Sequence, residues 1–215
     1  MTGTPMFPLE SVLLPGDELP LRIFEPRYAA LVRDCLAQEH KNFGVVLIER
    51  GREVGGGEMR CDVGVMVRIA EYEDYGGGRY RLRCPVQDRI RVIEWLPDDP
   101  YPRAVVEAWP DEPGLVEAAE IDDLEDRIWA LFERIAAARG MALGGRESLL
   151  DPDSSDDPGK QLYALAARLP MGAADRYAVL SAPSAYQRLV AMREAVETVA
   201  ALIEFQLSSP DDGPD

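Results

Sequence analysis

The hydrophobic period of the chain changes at residues 110–113, Pro-Asp-Glu-Pro, and this change limits the fold more than any other feature. Before it, apolar residues recur at every second position, the period of a strand with two faces. After it they recur at every third and fourth, the period of a helix with one apolar stripe. A chain of 215 residues with this division can bury a real core, and the expectation is an α+β protein with a strand-rich part over 1–109, a helical part over 114–207 and a polar tail over 208–215.

In the first part, Phe7 and Leu9, leading to Val12, Leu13 and Leu14, predict a strand with one face in a core. Pro15-Gly16-Asp17 has turn chemistry, and Leu19, Leu21 and Ile23 alternate again. Glu25-Pro26 opens a helix, since proline suits the first turn and an acid there complements the positive end of the helix dipole. Tyr28, Leu31, Val32 and Cys35 continue it. Residues 43–48 read as a buried strand, and 51–58 as a glycine-rich loop. A phosphate cradle would need a helix and Lys-Ser or Lys-Thr after that loop, and a further strand follows instead.

Val63, Val65, Val67 and Ile69 alternate, a turn cluster occupies 74–78, and Tyr80, Leu82 and Cys84 alternate beyond it, which predicts a hairpin over 61–84. A separate strand from Val86 to Trp95 would place Ile90, Val92 and Glu94 on one face and Arg91, Ile93 and Trp95 on the other. Arg103 to Trp109 is the last strand. Six or so short strands with one early helix predict a compact, mainly antiparallel barrel.

In the second part, Ile121, Leu124, Ile128, Leu131 and Ile135 form one stripe, ended by Gly140. Residues 140–160 are polar and read as a long loop. Short helices carry Leu162, Leu165, Ala166 and Leu169, then Tyr177 and Leu180. Ser184-Ala-Tyr-Gln187 has the form of a capping box. The helix behind it shows Leu189, Met192, Val196, Val199 and Ile203 on one face. An antiparallel helical bundle is the expected architecture.

Net charge is −16, with 14 basic and 18 acidic residues in 1–109 against 9 and 21 beyond. An acidic chain repels phosphate backbones, so nucleic acid is not an expected partner. On the same ground, basic or neutral apolar peptides should be better ligands than acidic ones. No run of about eighteen apolar residues is present, so no membrane span is expected. No basic segment followed by an apolar stretch opens the chain, so no secretory leader is expected either. Cys35, Cys61 and Cys84 are too scattered for a zinc site and too few for a disulfide framework, which fits a cytoplasmic setting.

The motifs of the first part resemble the Lon protease N-terminal, substrate-binding domain family. Phe7-Pro8-Leu9, Pro15-Gly16, Leu19-Pro20-Leu21 and Ile23-Phe24-Glu25-Pro26-Arg27-Tyr28 stand in that family's order and spacing. Val63-Gly64 with Val67-Arg68-Ile69, Gly78-Arg79-Tyr80 with Leu82, Arg89-Ile90-Arg91-Val92 and Asp99-Pro100-Tyr101 with Ala104-Val105 extend the resemblance to 109. One departure is Cys84-Pro85-Val86-Gln87-Asp88-Arg89, where many relatives carry a glycine, and the proline predicts an edge or a bulge. The resemblance implies a PUA-like barrel followed by a helical bundle, a stand-alone Lon N-terminal-like protein, and a protein-binding, proteolysis-related role.

Full-length Lon proteases continue into an ATPase and a serine-lysine peptidase. This sequence has no Gly-x-x-x-x-Gly-Lys-Ser/Thr motif, and its two lysines, Lys41 and Lys160, lie in no recognisable one. No enzyme activity, cofactor or metal is therefore expected. His40 is five residues from Cys35, which is spacing without a demonstrated base-nucleophile geometry. The expected function is noncatalytic recognition of unfolded polypeptide or a protein partner, with small-molecule or RNA binding by the barrel as the alternative. The candidate peptide-binding residues are Phe24, Tyr28, Tyr75, Trp95 and Trp109. Glu25 and Arg27 are expected to form a structural ion pair.

Overall fold

The computed structural model of the chain describes residues 3–50, 59–146 and 156–208. The chain divides between Pro110 and Asp111 into two units. The glycine-rich 51–58 and the middle of the acidic stretch, 147–155, lie outside the described residues, as do 209–215 of the tail.

The first unit runs β1 (Thr4–Leu9), β2 (Glu18–Ile23), α1 (Pro26–Leu36), β3 (Asn42–Arg50), β4 (Met59–Arg68), β5 (Glu71–Asp74), β6 (Tyr80–Leu96) and β7 (Arg103–Ala108). β1 pairs parallel to β3, and the other pairs are antiparallel: β1 with β7, β3 with β4, β4 with β6, and β6 with β7. The path β6-β4-β3-β1-β7 thus returns to β6. Met6, Val46, Ile90, Val92 and Ala104, drawn from β1, β3, β6 and β7, form one buried cluster.

β1 departs from the expected alternation, because Pro5 to Leu9 are buried in succession. Both of its faces are covered. Met6 belongs to the buried cluster, while the Phe7 ring lies 4.1 Å from Tyr28 of α1 and 6.2 Å from Phe43 of β3. The strand also stops at Leu9, short of Val12 and Leu14. The Leu14 amide donates to the Asp17 carboxylate at 2.8 Å and the Asp17 amide to the Leu14 carbonyl at 3.0 Å. This turn, with Gly16 at φ +92°, takes the hydrogen bonds a longer ladder would use.

The separate strands expected on either side of Pro85 are one strand, the 17-residue β6. Its first half pairs with β2 on one side and β5 on the other, and its second half pairs with β4 and β7. Pro85, opposite Glu18, sits where the partners change, so its missing amide hydrogen interrupts little. The register slips between the pairs Val65–Arg89 and Val67–Val86, leaving an extra residue on β6 just past the proline. This is the expected bulge. A second slip at Ile93 leaves both Ile93 and Glu94 exposed, so Glu94 does not share the buried face of Ile90 and Val92. Gly64 of β4 permits a close approach to β3, since a Cβ there would fall 2.1 Å from the Val45 carbonyl oxygen.

The second unit contains α2 (Ala118–Arg139), α3 (Pro158–Arg168), α4 (Ala173–Ser181) and α5 (Ala185–Ser208) among the described residues. A Glu117–Glu120 capping box opens α2, which ends at Gly140. The polar stretch expected to continue to 160 gives way earlier. Pro158 takes the first position of α3, and Asp157 caps it by accepting from the Gly159 amide at 2.8 Å. In α4 it is Val179 and Leu180 that are buried, with Tyr177 only half-buried. The Ser184 hydroxyl accepts from the Gln187 amide at 3.3 Å and opens α5, which touches α2, α3 and α4. Leu189, Met192, Val196 and Val199 are buried along it, and Ile203 is half-buried. Among the described residues no helix is long and apolar enough to cross a membrane.

Candidate functional site

The first half of β6 carries a small sheet, β2-β6-β5, in which, among the described residues, β2 and β5 each pair with β6 alone. Alternation along β2 buries Leu19, Leu21 and Ile23 and turns Glu18, Pro20 and Arg22 outward. On β6 the outward residues are Arg81 and Arg83. Cross-strand register then decides their neighbours. Arg83 stands opposite Pro20 on one side and Glu71 on the other, and Arg81 stands opposite Arg22 and Glu73.

Arg83 is neutralised by Glu18 at 3.0 Å and by Glu71. The hydrogen bond and charge of Arg83 hold the Glu71 carboxyl below the ordinary carboxylate range. The Tyr75 hydroxyl donates to Glu73, and that bond pushes the phenol pKa up. Arg22 directly faces Arg81, a like-charge pair in the ladder, with Glu73 opposite Arg81 on its other side.

Where the end of β2 meets the β5–β6 turn, Arg22, Ile23, Phe24, Tyr75, Arg79, Tyr80 and Arg81 line a groove of about 370 Å³. A second cleft of about 230 Å³ shares Arg22, Ile23 and Phe24 and extends to Phe7 and Tyr28. A third, of about 660 Å³, shares Arg81 and runs past Tyr72 and Arg83. Phe24, 67 % exposed, and Tyr75, 56 % exposed, are the aromatic walls of the first groove.

The other candidate residues stand elsewhere. Tyr28 is 4 % exposed and packs on Phe7 under the Arg27 guanidinium, so it is a core residue with little surface to offer a ligand. Trp95 is half-buried, with Arg60 over its ring at 4.9 Å and its indole N–H directed at Asp62. Trp109 has the Arg89 and Arg91 guanidinium groups 4.4 and 4.1 Å from its ring centre. Neither lines the groove of Phe24 and Tyr75. Glu25 and Arg27 form an ion pair at 3.1 Å across the first turn of α1. The residues that sequence reasoning missed are Arg22, Arg79 and Arg81. Alternation marks them as outward, but their convergence depends on cross-strand register, which no local pattern reports.

Cys35 is fully buried, its thiol directed at the Asn42 carbonyl 3.4 Å away, and burial pushes its pKa up to about 12. A thiol so held is not a nucleophile at neutral pH. Among the described residues no three His, Cys, Asp or Glu side chains converge to hold a metal. What the arrangement offers is aromatic surface flanked by guanidinium groups beside two open strand edges, a binding geometry.

Residues 3–198 match the ATP-dependent protease La (LON) substrate-binding domain, and the chain belongs to that family. It is 26 % identical over 191 residues to Lon protease 1 of Herpetosiphon aurantiacus, covering 87 % of this chain and 23 % of that protein. It is 32 % identical over 110 residues to Lon protease 2 of Myxococcus xanthus, covering 50 % of this chain and 13 % of that one. The chain thus spans less than a quarter of the length of these relatives. The solved Lon N-terminal domain protein from Xanthomonas campestris is similar over 90 % of this chain and 98 % of its own, with TM-score 0.60 and 27 % identity. The N-terminal domain of the Mycobacterium avium complex Lon protease shares the fold, with TM-score 0.53 at 17 % identity over 97 % of this chain and 99 % of that one.

Proposed function

We propose that this chain is a noncatalytic polypeptide-recognition module that takes unfolded segments on the open surface of the β2-β6-β5 sheet. The observation that carries this reading is the groove walled by exposed Phe24 and Tyr75 in a member of a substrate-binding family. The ring of pairings through β1, β3, β4, β6 and β7 supports reading the first unit as a PUA-like barrel that holds this surface rigid. The three cysteines, none of them in a disulfide among the described residues, support a cytoplasmic setting. Unfolded chains offer apolar side chains and unpaired backbone, and both are complementary to an aromatic groove beside the free edges of β2 and β5.

Fluorescence anisotropy with a labelled unfolded polypeptide, its folded counterpart as competitor, tests the reading. Unfolded chain should bind in the micromolar range or weaker, because ordering a flexible ligand offsets much of the contact energy. Phe24→Ala and Tyr75→Ala should weaken binding while leaving the melting temperature unchanged. In parallel, the protein should neither hydrolyse ATP nor cleave casein. Binding that is confined to one folded protein would make this an adaptor, and stabilisation by a small metabolite alone would favour a pocket binder.

A further inference from the structure

The chain carries a net charge of −16, yet among the described residues the groove of Phe24 and Tyr75 is lined by three arginines and no acid. We propose that this groove selects acidic segments, binding an extended peptide that carries a carboxylate next to an aromatic or aliphatic side chain. The inference rests on the polypeptide-recognition reading and adds to it the charge of the preferred ligand.

Four observations support it. Arg22 makes no ion pair among the described residues, and Arg79 reaches only the Gly76 carbonyl, at 3.5 Å. Three of the neighbouring acids are already ion-paired, Glu25 with Arg27 and Glu18 and Glu71 with Arg83, while Glu73 and Asp74 accept from the Tyr75 hydroxyl and the Gly76 amide. Arg22 and Arg81 face each other directly in the ladder, so an anion between them relieves a repulsion as well as making new bonds. Phe24 and Tyr75 flank these guanidinium groups with exposed rings, so a carboxylate held by arginine leaves an adjacent apolar side chain against an aromatic wall.

Overall charge and local charge therefore point to opposite ligands. At physiological salt the screening length is about 8 Å, so the distributed negative charge is attenuated while arginines in contact with the ligand are not. A polyanion such as RNA carries enough charge to feel the repulsion of a chain at net −16. A peptide with one or two carboxylates does not, which favours the peptide.

The test is anisotropy with three peptides of one aromatic-rich sequence, differing only in Glu, Gln or Lys at two positions. The Glu peptide should bind about tenfold tighter than the Lys peptide at low salt, and the difference should shrink as salt rises. The Arg22→Gln, Arg79→Gln variant should lose that preference yet still bind the Gln peptide, and Arg22→Lys should retain most of it. These side chains are exposed, so an unchanged melting temperature confirms that the fold is intact. Binding of all three peptides with equal affinity, or a preference that survives in the double variant, would overturn this inference and leave the recognition reading standing. Failure of every peptide to bind would overturn both. Displacement of the Glu peptide by a single-stranded oligonucleotide at lower concentration than by unlabelled peptide would assign the groove to nucleic acid and overturn the proposal.

Discussion

Arg188 holds Asp111 through both terminal nitrogens, at 2.8 and 2.6 Å, and is itself completely buried. Its guanidinium also lies 3.8 Å from the Tyr163 ring centre and donates to the Gly159 carbonyl at 3.3 Å. One side chain of α5 thus ties together the first residue of the second unit, the start of α3 and an aromatic of the same helix. Asp111→Ala should destabilise the second unit by about 3–5 kcal/mol, because it leaves Arg188 charged and buried without its carboxylate. Asp111→Ala combined with Arg188→Met should cost less than Asp111→Ala alone. Urea unfolding followed by circular dichroism measures both, and equal costs would show that the pair's charge is not what matters.

Gly159→Ala should act on the same cluster without removing a charge. A Cβ there would sit 2.6 Å from the Asp111 carboxylate and 2.9 Å from the Arg188 guanidinium. The expected loss is about 1–3 kcal/mol from overpacking. Gly159→Ala should add little once Asp111→Ala is present, which a double-mutant cycle reads directly.

Arg27→Ala tests the first turn of α1. The Glu25–Arg27 side chains keep about one-fifth of their surface exposed, at 20 % and 17 %, and Arg27 also covers the Tyr28 ring at 4.4 Å. The loss should be about 1–2 kcal/mol, between the values for exposed and buried pairs. Peptide binding by the folded fraction should be unchanged. A variant of wild-type stability that had lost binding would move this pair from scaffold to site.

The thiols give a pH prediction. Burial raises both Cys35 and Cys84 from 9.0 to about 12, with neighbouring acids adding to the effect. Above pH 9 the unfolded chain loses these protons and the native protein keeps them, so stability falls as pH rises from 9 toward 12 and is unaffected by them below 9. The midpoint of urea unfolding should drop between pH 8 and pH 10.5, and less steeply in a Cys35→Ala, Cys84→Ala variant. At pH 8 a thiol reagent should reach half-buried Cys61 in the native protein well before the two buried thiols.

Much of the fold follows from local sequence. The alternation of Leu19, Leu21 and Ile23 is the buried face of β2, Glu25-Pro26 opens α1, and the stripe from Ile121 to Leu131 is the buried side of α2. These features rest on side-chain period and cap chemistry, which act within a few residues of the positions that encode them.

What local sequence left open was decided by partners distant in the chain. Pro85 would end an ordinary central strand, but β6 continues through it because its neighbours change at that point. Tyr28 and Phe24 are both aromatic in one motif, yet Phe7 buries one and the other stays exposed. Arg188 follows the Ser184 cap with nothing beside it to announce burial; its carboxylate lies 77 positions earlier. The basic groove exists because ladder register sets Arg22 against Arg81, 59 residues apart, while Glu18 and Glu71 neutralise Arg83 instead. Period and caps are short-range properties of one segment. Pairing register and the burial of a charge are properties of two segments together, so only the tertiary structure could determine them.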